Sequence, residues 1–280
     1  VPHEGRGWFF RLRVAVLVAI LVAVALYAGK DYLDRRSRND WDRTLKVAIV
    51  VLELEPVAPS ALEAMRARLP SLEARLAAEL HRYRPGAPFP FEFELFGPVP
   101  VNQSPPEPKS ESFFDLSRHS FGLWRYVSAV DRELARTTGD GGASQTSPYD
   151  AANFDSRVYV VVRPPAKEAV RLVEGMSQQN GRVGTVSVEL ADDMADLALF
   201  VASHELFHTL GASDKYDAQG RVLVPGGLVE PAKNPLYPQR YAEIMARNRP
   251  LSLTEEVLPE TLDELAVGRD TALEIGWLEQ

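Results

Sequence analysis

The chain has 280 residues, 45% hydrophobic and 25% charged, which suits one globular domain of about 200–230 residues plus appendages. It has no cysteine, so disulfide staples and thiolate ligands are excluded and any metal must rest on His, Asp and Glu. Net charge is −8, made of +4 over residues 1–46 and −12 over the rest, and so acidic a body argues against a nucleic-acid partner.

The first residue is valine. Arginine outnumbers lysine and alanine is abundant, as in high-GC bacterial genomes, so a GTG start and an omitted leader are both open readings. Arg6, Arg11 and Arg13 precede a charge-free apolar run at 14–29, with Trp8, Phe9 and Phe10 just outside it. The run is sixteen residues, or eighteen counted from Leu12 with Arg13 snorkelling, at the short end for a membrane span of about 20 residues. Residues 1–29 are therefore expected to form one N-terminal transmembrane helix, an uncleaved anchor that holds the protein to a membrane and leaves the following domain periplasmic. The alternative is a signal peptide cleaved near Ala23 and Ala25, giving a secreted protein.

Residues 30–45 read as a charged linker, and 46–280 as the folded domain. The β-branched run at 46–54 reads as a buried strand. Ser60 and Glu63 form a capping box that opens a helix to Tyr83, interrupted near Pro70. Residues 89–96 alternate and read as a strand, and the proline-rich 97–112 as a surface crossing. A helix is expected over 120–137, a Gly/Ser loop over 139–152, a buried strand over 156–164, a short helix over 166–174 and a strand over 181–190. A buried helix follows over 194–210, with Asp193 as its N-cap. Residues 215–250 are loop-rich, and a last helix covers 254–276 with a break near Gly268.

The chemistry sits at the end of the 194–210 helix, in HELFHTLGASDKYD. His204 and His208 are four apart, which places both imidazoles on one helical face, as in half of a tetrahedral zinc site. Glu205 lies about 100° further round, badly placed to ligate but able to reach a water as general base. Gly211 ends the helix in a left-handed conformation, and Asp214 can return as a carboxylate ligand. Two histidines, a carboxylate and one open position describe a catalytic site rather than a closed structural one. Asp217 is one step too far and reads as a solvated turn residue.

HExxHxxGxx followed by a ligand resembles the signature of metzincin-type zinc peptidases, and the aspartate resembles the snapalysin-like HExxHxxGxxD variant. Met245, thirty-seven residues after His208 in YAEIMARNRP, is similar to the methionine of the metzincin Met-turn. The resemblance implies an α+β, zincin-like fold: a small mixed β-sheet with backing helices and a metal-binding active-site helix. It implies that the strand at 182–190 forms the sheet edge beside the cleft, where an extended peptide can add as a strand. The expected function is a zinc-dependent peptidase acting on peptide or protein substrates, with Zn²⁺ on His204, His208 and Asp214, Glu205 as base, and Tyr216, Tyr241 or Arg240 as candidate oxyanion donors. The other readings are a non-catalytic metal-binding envelope protein, either sensor or adaptor, and a buried helix whose histidines are satisfied by core hydrogen bonds. Nothing in the sequence sets the oligomeric state.

Overall fold

The computed structural model describes residues 5–107, 112–139, 149–165, 173–177 and 181–279. The chain divides into two compact units, Val1–Asp40 and Trp41–Gln280.

The first unit holds one helix, α1 (Gly5–Arg38). Among the described residues no helix is long and apolar enough to cross a membrane. The expected transmembrane helix and membrane partner are therefore not supported. The charge-free apolar run at 14–29 is sixteen residues, about 24 Å of helix against a hydrocarbon core of ~30 Å.

The second unit is a mixed α/β structure with a largely parallel sheet, in agreement with the expected mixed sheet and backing helices. Its sheet contains β1 (Leu45–Glu53), β2 (Phe91–Pro100), β3 (Ser156–Arg163), β4 (Val173–Ser177) and β5 (Val183–Glu189), in the order β2-β1-β3-β5-β4. Pairs β1–β2, β1–β3 and β3–β5 are parallel, and β4 runs antiparallel to β5. The expected edge strand β5 is thus covered by β4, and the sheet edge on that side belongs to β4. The short helix expected over 166–174 falls outside the described residues except for its last two positions, which belong to β4. Most of the expected 139–152 loop also falls outside them.

The continuous apolar run of β1 follows from burial on both faces. Val47, Ile49 and Val51 face a core shared with α2 (Pro59–Tyr83) and α4 (Ala195–Thr209), whereas Ala48, Val50 and Leu52 face a second core against α3 (Phe113–Gly139). All six are fully buried, and each of the larger ones contributes roughly 1.5–3 kcal/mol on leaving water.

Helix α2 is continuous through Pro70, contrary to the expected break. Pro70 faces solvent, so water can take the carbonyl that it deprives of a partner. The expected capping box does not form either. Ala58 is the N-cap, and Ser60 Oγ instead reaches Asp192 Oδ1 at 2.8 Å. The helix expected over 254–276 shrinks to α5 (Arg269–Glu274). Pro259 interrupts the pattern, and Leu265–Ala266 pairs as a short parallel strand with Ala242–Glu243.

Helix α4 lies across β3, β4 and β5 and against α2. Its N-terminal end is pinned by Asp196, which takes Arg68 through both carboxylate oxygens at 2.6 and 2.8 Å and also accepts from Leu262 N. Met194 is its N-cap rather than Asp193, which belongs to a 3-10 turn, Asp192–Met194. Its buried back is held by an aromatic cluster. Phe207 meets Trp277 edge-on at 5.6 Å, Trp277 meets Trp41, and Trp41 meets Phe91 at the same spacing. Such pairs add about 0.5–1.5 kcal/mol each beyond area burial, and they fix the segment between the two histidines.

Candidate metal centre

His204 and His208 stand one turn apart on α4, with ring centroids 4.7 Å apart and planes at 90°. Both Nδ1 atoms are committed to main-chain carbonyls. His204 Nδ1 donates to Ile244 O and His208 Nδ1 to Ala212 O, each at 2.9 Å. A carbonyl oxygen only accepts, so both Nδ1 atoms carry the proton and both Nε2 atoms point inward. Those two Nε2 atoms meet one oxygen, Asp214 Oδ1, at 3.2 Å each.

Three electron-pair donors so close need positive charge among them. The choice is two imidazolium rings against one carboxylate, or one cation shared by neutral rings. Donors at ~2.05 Å from a tetrahedral ion stand about 3.3 Å apart, close to the 3.2 Å seen here. The residues therefore fit a zinc ion. One nitrogen of each histidine and one Glu205 carboxylate oxygen also lie within 4.8 Å of one another.

The electrostatics follow the same geometry. Burial alone would lower His208, but its hydrogen bond with Asp214 and the charge of Glu205 reverse this and raise it. Burial would raise Asp214, yet the hydrogen bonds from both histidines hold it well below the usual carboxylate range. Tyr216 stacks on His204 with centroids 6.3 Å apart. Burial, then the charge of Asp214 and a hydrogen bond to it, push its phenol up to about 12.

The loop after α4 turns at Gly211, with φ +107°. There the chain takes a left-handed step that glycine makes without Cβ strain, and Ala212 O is delivered to His208. Asp214 is held in place by its neighbours. Lys215 N donates to Met245 O at 2.9 Å, and the buried Lys215 ammonium donates to Glu274 Oε1 at 2.7 Å. Ser213 donates to the same Glu274 carboxylate from its backbone N and its hydroxyl.

Met245 is fully buried in a turn at 244–246, and that turn supplies the carbonyl orienting His204. The turn is held by Glu243, itself 0% exposed. Glu243 Oε2 accepts from Met245 N at 2.6 Å and Oε1 from Gly268 N at 3.0 Å. Both oxygens accept, which suits the ionised form, while burial pushes the carboxyl up.

The structure thus brings His204, Glu205, His208, Asp214 and Tyr216 together, with Met245 in the turn behind. Tyr241 goes elsewhere: Arg75 and Arg240 each lie over its ring at 5.1 Å. Asp217 accepts from Gln219 N and Arg221 N in its own turn. Sequence reasoning missed Glu243, Lys215 and Glu274. A lone glutamate among Ala242, Ile244, Met245 and Ala246 was a usable sign of a buried partner; Glu274, sixty residues from Asp214, carried none.

No family model matches the chain, and no curated protein matches it. Among solved structures it is similar to archaemetzincin from Methanopyrus kandleri, at 14% identity and a TM-score of 0.27, over 64% of this chain and 78% of that one. So shallow an overlap leaves function to rest on the site's own geometry. That geometry defines a mixed α/β protein with a largely buried His/Glu/His group able to hold a metal ion.

Proposed function

We propose that the Trp41–Gln280 unit is a zinc-dependent peptidase that hydrolyses peptide bonds with water. The observation that carries this reading is the convergence of two tautomer-fixed imidazoles on one Asp214 oxygen, with Glu205 buried beside them. His204, His208 and Asp214 would hold the ion. Zinc, when bound, supplies Lewis acidity that polarises a carbonyl and brings the pKa of water toward ~7. Glu205 is one residue from His204, and one of its carboxylate oxygens lies within 4.8 Å of a nitrogen of each histidine, within reach of a water at the site. It accepts the proton of the attacking water and returns it to the departing amine. Tyr216 keeps its own proton at neutral pH and is the candidate donor to the developing oxyanion.

Zinc content and peptide hydrolysis test this on the full chain. Glu205→Gln keeps shape and hydrogen bonding but not basicity, so zinc should stay bound while hydrolysis falls ~10²–10⁴-fold. Asp214→Ala should lose zinc and activity together. Hydrolysis by Glu205→Gln at the parent rate would show that Glu205 is not the base. A zinc-loaded parent that cleaves no peptide or protein would instead make this a metal-binding sensor or adaptor.

A further inference from the structure

Arg247 follows the turn at 244–246 with φ at +66°. A residue with a Cβ rarely adopts that left-handed conformation, and glycine is the default there. Here the position carries a long cationic side chain, and it is exposed. Its guanidinium lies 5.5 Å from the centroid of the Tyr216 ring, the ring that stacks on His204. A positive charge therefore stands one aromatic ring away from a metal-site imidazole. Among the described residues no carboxylate forms an ion pair with it.

The local charge balance gives this meaning. Two neutral imidazoles, Asp214, Glu205 and a divalent ion sum to zero. Arg247 then adds a positive charge at the rim of the site with no carboxylate paired to it among the described residues, on a body that is otherwise strongly acidic. Lysine and arginine side chains usually neutralise such a body through surface pairs; this one is instead held over a site aromatic by a cation–π contact. Resting on the peptidase reading above, we propose that Arg247 receives a carboxylate of the peptide substrate and so sets specificity. Its guanidinium stands no more than about 12 Å from the His204 ring. An extended peptide advances ~3.3 Å per residue, so the carboxylate would lie within about four residues of the cleaved bond. The planar guanidinium matches a carboxylate through two parallel hydrogen bonds. An acidic side chain and a free C-terminus offer the same chemistry.

The test is peptide binding by fluorescence anisotropy to the full chain carrying Glu205→Gln and loaded with zinc, which should hold a peptide without cleaving it. One pair of labelled peptides differs only in a free or amidated C-terminus; a second, amidated pair differs only in an internal Glu or Gln. The carboxylate member of one pair should bind ~10–100-fold more tightly than its uncharged twin, the range expected for hydrogen bonds to a charged group. Which pair shows the effect tells which carboxylate is read. Adding Arg247→Gln should bring the carboxylate peptide down to the affinity of its twin with zinc content unchanged, and Arg247→Lys should fall between. A preference that survives Arg247→Gln overturns the assignment, as does equal binding within both pairs. Binding without any carboxylate preference removes this inference alone, whereas no binding of any peptide removes the peptidase reading with it.

Discussion

Glu243 offers the sharpest test of how the candidate metal centre is held. Replacing it with alanine removes both acceptors of a fully buried carboxylate and leaves Met245 N and Gly268 N without partners. Each buried orphan donor costs roughly 1–3 kcal/mol, so Glu243→Ala should destabilise the domain by about 2–6 kcal/mol. At about 2–4 °C per kcal/mol for a domain of this size, Tm should fall by roughly 5–20 °C. Glu243→Gln keeps one oxygen but turns an NH₂ toward the other donor, so about half that loss is expected. The turn also carries Ile244 O, the acceptor that orients His204. Loosening it should weaken zinc affinity ~10–100-fold, as loss of an outer-sphere partner does. Thermal unfolding of the metal-free chain gives the first quantity, and competition against a chelator gives the second. Parent values of both in Glu243→Ala would mean that the turn stands without the carboxylate, and the reasoning would fail.

Three other perturbations have clear outcomes. The His204→Ala/His208→Ala double variant should bind no zinc by metal analysis, and full occupancy would remove the site. Asp155, held below its ordinary 3.8 chiefly by Arg43 and the Lys46 backbone N against the opposing effect of burial, contributes stability that is complete above that value and lost as pH falls through the lower folded value. The stability gap between parent and Asp155→Asn, read by denaturant unfolding, should therefore be constant near neutrality and close below about pH 4; a gap unchanged down to pH 2 would contradict this. Gly97 has φ +99°, and an added Cβ would stand 2.5 Å from Val51 O, so Gly97→Ala should destabilise the β1–β2 pair by about 1–3 kcal/mol in the same assay.

What the sequence revealed depended on where the physical cause lay. Strands β1 and β3 were legible because both their faces are buried and their runs are continuous. The histidine pair was legible because one helical turn fixes its geometry. Elements shaped by distant partners were not. Ser60 looked like a cap but is drawn to Asp192, 132 residues away. The last helix dissolved because Leu265–Ala266 finds Ala242–Glu243. Strand β5 was expected at the edge from the family resemblance, and nothing in its own residues announces β4. In the site, Asp214 was visible from spacing, but the Lys215–Glu274 and Glu243–Gly268 contacts that hold its surroundings join residues with no local pattern.

The carbonyls that orient the two histidines belong to Ala212 and Ile244, and they are main-chain atoms. No side chain at either position does that work. What keeps each imidazole oriented is the path of the chain through Gly211 and through the 244–246 turn. The donor triangle thus hangs on the course of the backbone at two turns, and not on any side chain at those two positions.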